Sequence, residues 1–160
     1  MNIKVMINYD NFEYLDIASF DEIKFSYGLN KRGWVVNDDR VVKVIPFTES
    51  NFIDFLKVLE IPFNKIERNI IDSLVKKNIK IDFNWVELFP IEGVIETVFG
   101  MESTYWGELC LDFLIESNFI SEKMIILFEK SNDEKWFSQK MRHQIKRYIT
   151  RSPPDRPSVF

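Results

Sequence analysis

Alanine is almost missing from this chain: Ala18 is the only one among 160 residues, against 20 isoleucines and 15 phenylalanines. We read this as codon bias in an AT-rich gene, and it leaves a core that bulky side chains must fill. Cys110 is the only cysteine, so an internal disulfide and any multi-cysteine zinc site are excluded. His143 is the only histidine, which removes paired-histidine metal and nuclease chemistry. With five glycines in total, neither Gly-x-Gly-x-x-Gly nor Gly-x-x-x-x-Gly-Lys can be read, so no phosphate cradle is signalled. The longest stretch free of Asp, Glu, Lys and Arg is six residues, Phe25 to Asn30. A membrane-spanning helix needs about 20 mostly apolar residues. The first ten residues hold no apolar h-region, so no signal peptide is expected. By elimination the expectation is a soluble cytosolic protein, with no cofactor, no metal and no catalytic residue assigned.

What is present organises itself in two halves. Ile3, Val5 and Ile7 alternate with polar neighbours, and Ile23, Phe25 and Tyr27 repeat that period of two, which predicts half-buried strands. Trp34–Val36 and Arg40–Ile45 flank the turn cluster Asn37-Asp38-Asp39, a spacing of hairpin length. Three or four antiparallel strands are expected over residues 2 to 46, although Asn11–Ala18 also fits a short helix. Pro46 closes this half because it cannot donate to a sheet ladder.

From Thr48 the period becomes helical. Thr48-Glu49-Ser50 offers caps, and Phe52, Phe55, Leu56 and Leu59 form one face ended by Pro62. Ile66, Ile70, Ile71 and Leu74 repeat the spacing to about Asn78, and Pro90 splits two shorter apolar segments. Ser103 caps a predicted helix to Ser117, and Ser121 opens another over Glu122–Glu129. The last is predicted over Asp133–Ile149, capped by Asn132, with Phe137, Met141, Ile145 and Tyr148 in line. Strands first and helices after predict an α+β domain over residues 1–150, with a proline-rich tail at 151–160.

Residues with nucleophilic chemistry are poorly placed for it. Cys110 shares an apolar face with Trp106 and Phe113, where a thiol acts as a small hydrophobe. His143 follows the basic side of the last helix, so both are read as structural. Ser73-Leu-Val-Lys76 matches Ser-x-x-Lys but lacks the partner motifs that chemistry requires. Glu108, Asp112 and Glu116 share a helix face, yet no Glu-x-x-His accompanies them to make a di-metal site.

The distribution of charge is more informative. No Lys or Arg lies between Lys80 and Lys123, while nine acids do: Asp82, Glu87, Glu92, Glu96, Glu102, Glu108, Asp112, Glu116 and Glu122. The last 31 residues carry a net +5, which leaves −9 for residues 1–129. Two readings follow: either the basic last helix neutralises the acidic one, or each patch faces a partner. An acidic surface with a pI near 5.2 disfavours nucleic acid and suits a basic protein. Tyr105 and Trp106 among Glu92, Glu96, Glu102, Glu108, Asp112 and Glu116 form the expected partner-binding set, since aromatics among charges serve as interface anchors.

A small, acidic, AT-rich chain without a catalytic motif resembles, in general character, the immunity proteins of contact-dependent inhibition and other polymorphic toxin systems. That resemblance implies a bacterial cytosolic antidote that binds a cognate toxin domain, often a basic nuclease. The competing readings are a nucleic-acid or phosphate binder using Lys140, Arg142, Lys146, Arg147 and Arg151, and an enzyme with a carboxylate-based site.

Overall fold

The strand-forming half builds one antiparallel sheet. In the computed structural model, which describes residues 14–39, 41–131 and 134–151, β1 (Leu15–Phe20), β2 (Phe25–Leu29), β3 (Gly33–Asp38) and β4 (Val41–Pro46) lie side by side in chain order. The expected α+β architecture holds, with helices following the sheet. The strand predicted around Ile3, Val5 and Ile7 lies outside the described residues, as does the tail from residue 152.

The hairpin falls where the turn cluster placed it. Asp38 pairs with Val41, so two residues connect β3 to β4, and Asp39 takes the left-handed conformation at φ 56° that such short connections favour. The helical alternative for Asn11–Ala18 is not realised over its described part, because Leu15–Ala18 is strand. A bulge at Ile17 shifts the β1–β2 register between Asp16 and Ala18.

Among the described residues five α-helices follow: α1 (Phe63–Lys76), α2 (Ile91–Met101), α3 (Thr104–Glu116), α4 (Glu122–Lys130) and α5 (Gln139–Arg151). The segment Ile53–Glu60 is a 3-10 helix, not the α-helix its spacing suggested. Its N-cap residue, Phe52, has no capping side chain, and Asn51 Oδ1 accepts from Ile53 N–H at 3.1 Å. Glu49 instead closes its own loop, with Oε1 accepting from the backbone of Ser50 at 2.8 Å and Asn51 at 3.2 Å. Ser103 and Ser121 do cap α3 and α4, accepting from Trp106 and Met124 N–H groups.

The last helix begins at Gln139, six residues later than predicted, and Asn132 and Asp133 lie outside the described residues. The Ser138 hydroxyl accepts from Met141 N–H at 3.1 Å and so acts as the cap. Phe137, just before that cap, meets the Arg142 guanidinium 5.9 Å above its ring, in the position of a hydrophobic staple. Phe137 is therefore buried through a turn and not as part of the helical stripe. Met141, Ile145 and Tyr148 are buried along α5 as expected.

Aromatic rings join the two halves. Phe55 lies at 5.1–6.1 Å from the rings of Phe25, Tyr27, Trp34, Phe52 and Phe89, most of these pairs being edge-to-face. α1 covers β1, where Asn69 donates to Ser19 O at 2.6 Å and accepts from Ser19 N–H at 3.1 Å. One edge of the described sheet is thus blunted by a side chain. β4 forms the opposite edge of the described sheet, with Val41 and Val42 exposed. No helix among the described residues is long and apolar enough to cross a membrane.

Candidate protein-binding cleft

Where the end of the β3–β4 hairpin meets α2 and the start of α4, the surface opens into a cleft of about 980 Å³. Its walls are set by three local arrangements. On the hairpin side, Trp34 turns its ring against that of Phe47, with centroids 6.4 Å apart, and Phe47 remains 36% exposed. On the α2 side, Gly93 lacks the Cβ that would run into the Phe52 ring, so Phe52 lies directly on the helix. Thr97 fixes this contact, accepting from Phe52 N–H at 2.9 Å and donating to Gly93 O at 2.8 Å. On the α4 side, buried Ser121 donates its hydroxyl to Glu92 and its N–H to the Tyr148 hydroxyl at 2.8 Å. Burial behind this wall pushes the Tyr148 phenol up to about 12.

The charge on these walls is unbalanced. Glu49, Glu87, Glu92, Glu96 and Glu122 line the cleft, against Arg32 and Lys123. Lys123 is already engaged, its ammonium 2.9 Å from Glu96. Glu87 is the most unusual of the five. Its Oε2 is buried with no hydrogen-bond partner among the described residues, and desolvation raises its carboxyl above the ordinary glutamate value of 4.5. The short 3-10 helix Trp85–Leu88 produces this position. Trp85, Val86 and Leu88 turn into the core and carry Glu87 between them to the cleft.

Of the predicted partner-binding residues, Glu92 and Glu96 line this cleft. The others are distributed elsewhere. Glu102 takes the left-handed position that ends α2, at φ 53°. Tyr105 is exposed, donates to Glu60 at 2.7 Å and stacks edge-on against Trp106. Glu108 and Asp112 face α5: Lys140 lies 2.7 Å from Asp112 and 3.8 Å from Glu108. Gln144 also donates to Asp112, and the Ser138 hydroxyl donates to Glu108 at 2.5 Å. Glu116 is exposed near the end of α3. Of the eight residues, Glu92 and Glu96 alone line the cleft.

Glu49, Glu87, Glu122 and Arg32 were not chosen from the sequence as site residues. Glu87 and Glu122 belong to the cation-free run, which was a usable signal. Glu49 had none, because only the tertiary fold brings the residues after β4 to α2.

The candidates for covalent chemistry stay apart from this cleft. Cys110 is fully buried and burial pushes its thiol far up, while His143 is exposed on α5. Among the described residues, no group of three or more His, Cys, Asp or Glu is arranged to hold a metal ion. No protein-family model, no curated protein and no solved structure matches the chain.

Proposed function

We propose that this chain is a non-catalytic inhibitor module of the immunity-protein kind, acting in the cytoplasm by binding the basic face of a cognate toxin domain. The observation that carries this reading is the cleft: among the described residues, five carboxylates line one concavity against two cations, one of them already paired. Complementary fields of this sort speed encounter and select against wrong partners. Exposed Phe47 at its rim supplies the apolar contact that charge alone lacks. The cation-free run of the sequence supports the same reading, although its residues divide between this cleft and the α3–α5 seam.

The basic stripe on α5 offers less to a phosphate backbone. Lys140 is engaged with Asp112, and the Arg142 guanidinium donates to Glu134 O at 2.7 Å while covering Phe137.

The test starts at the neighbouring reading frame, where a large secreted effector is expected, and co-expresses the C-terminal domain of that effector with this chain. Restored growth, together with a complex that purifies intact and whose association slows as salt rises, is the expected outcome. A wild-type chain that neither rescues growth nor binds that domain sinks the reading.

A further inference from the structure

We infer that the cleft is built to seat one basic side chain, an arginine or lysine that the partner inserts against Glu87. This deepens the inhibitor reading and rests on it for the identity of the partner, not for the chemistry of the seat. A carboxylate that is half stripped of water is poorly solvated in its charged form, and it gains more from a cation than a fully hydrated one does. Glu87 is such a group, with its Oε2 enclosed and no hydrogen-bond partner for that oxygen among the described residues. The neighbouring acids are not equivalent. Glu92 holds Ser121, Glu96 holds Lys123, and Glu49 accepts from its own loop.

The apolar part of the seat is independent of these charges. Phe47 presents an open ring beside Trp34, a surface along which the methylene stem of a long cationic side chain lies while its head reaches an acid. Clefts of roughly 300–1,000 Å³ accommodate drug-sized groups, so about 980 Å³ holds a side chain with the backbone turn that presents it. Such an inserted residue, surrounded by a rim that excludes water, has the character of an interface hot spot.

The experiment is a titration of the full chain at low salt, followed by backbone amide resonances, with three blocked tripeptides of the form Gly-X-Gly. X is arginine, lysine or uncharged citrulline. The arginine and lysine peptides should shift the Gly93, Ser121 and Glu87 amides saturably, with a Kd of about 1 mM or weaker, as befits a fragment. Citrulline should leave them in place. Glu87→Gln should weaken arginine binding by about tenfold, the factor that 1.4 kcal/mol represents. Shifts confined to α3 and α5, equal binding of citrulline, or unchanged affinity in Glu87→Gln would each overturn the seat. If Glu87→Gln loses its native spectrum, Phe47→Ser at an exposed position decides instead: weakened arginine binding supports the seat and unchanged binding overturns it. The two readings fail separately. A toxin domain that binds while the peptides do not removes the seat and leaves the inhibitor, and the reverse result removes the inhibitor alone.

Discussion

Two groups of acids in this protein come from the same cation-free stretch and meet different fates. On α3, Glu108 and Asp112 are answered from within the molecule, by Lys140, Gln144 and Ser138 of α5 and its cap. Around the cleft, Glu87 and Glu122 stay on a wall that the fold supplies with few cations. The difference is one of topology. α5 returns across α3 and brings the basic end of the chain with it, whereas the cleft lies between the hairpin, α2 and α4. Acid content alone therefore does not mark a binding surface. What sets the cleft apart is acid content left over after the cations of the described residues have been placed.

The widest separation between the two groups is expected in association kinetics. Changing Glu49, Glu87 and Glu122 together to Lys should slow association with the basic partner by about 10- to 100-fold, because steering by a focused field is worth that much. Raising the salt should narrow the gap, since charges are screened over about 8 Å at physiological ionic strength. The matching reversal of Glu108 and Asp112 places lysines opposite Lys140. It should lower the unfolding temperature while the molecules that remain folded bind at close to the wild-type rate. Stopped-flow binding alongside circular dichroism separates these effects. A large loss of rate from the α3 reversal in a fully folded protein would invert the comparison.

A second contrast concerns packing. Gly107 lets α3 approach α5 so closely that an added Cβ would stand 2.5 Å from Met141 Cε and 3.1 Å from the Trp136 ring. Gly107→Val should therefore cost about 1–3 kcal/mol by overpacking, with the flexible end of Met141 absorbing part of the strain. Chemical denaturation measures it. The seam reading also requires that partner association in this variant stay near wild type while its stability falls.

Much of this fold was legible because its patterns are local. Phe25 and Tyr27 lie in β2 as their alternation predicts, although Ile23 falls in the 3-10 turn Asp21–Ile23 before it; the β3–β4 hairpin turns at its Asn-Asp-Asp cluster, and serine caps mark α3 and α4. β1 was ambiguous for a definite reason. Its buried residues are Leu15, Ile17, Ala18 and Phe20, because the bulge at Ile17 breaks the period of two, and that spacing also suits a helical face. Likewise Phe137 continued the α5 stripe by number alone, while Ser138 started the helix after it. The cleft was legible only in part. The missing cations announced an acidic surface, but the placement of Glu49 beside α2, and the enclosure of the Glu87 oxygen, depend on contacts between distant segments.

A smaller effect tests whether the α3–α5 charge contacts are structural or merely adjacent. Lys140 is half exposed, and hydrogen bonding to Asp112 raises its pKa. Lys140→Ala should lower stability by at most about 1 kcal/mol, the range of exposed pairs, and added salt should shrink that loss. Partner binding should not change. A cost that persists undiminished in concentrated salt would assign the contribution of Lys140 to the packing of its stem rather than to its charge.

The smallest expected effect lies in the pH dependence of Glu87, and it bears on the comparison most directly. A carboxyl whose pKa is raised by folding contributes stability below its unfolded value and loses it as pH rises through the folded value. Wild type should therefore lose stability relative to Glu87→Gln as pH rises above the ordinary glutamate value of 4.5. Glu49, Glu92, Glu96, Glu122, Arg32 and Lys123 share the cleft with Glu87, and the N-terminal ammonium works against the desolvation that raises its carboxyl. A bound arginine peptide should reverse the sign, because a cation at the seat favours the ionised form and wild type then gains on the variant toward neutral pH. Thermal unfolding of both proteins across this range, with and without the peptide, reads the effect. Parallel curves without peptide would mean that Glu87 is solvated like any surface acid. The cleft would then differ from the α3–α5 seam only in its count of cations.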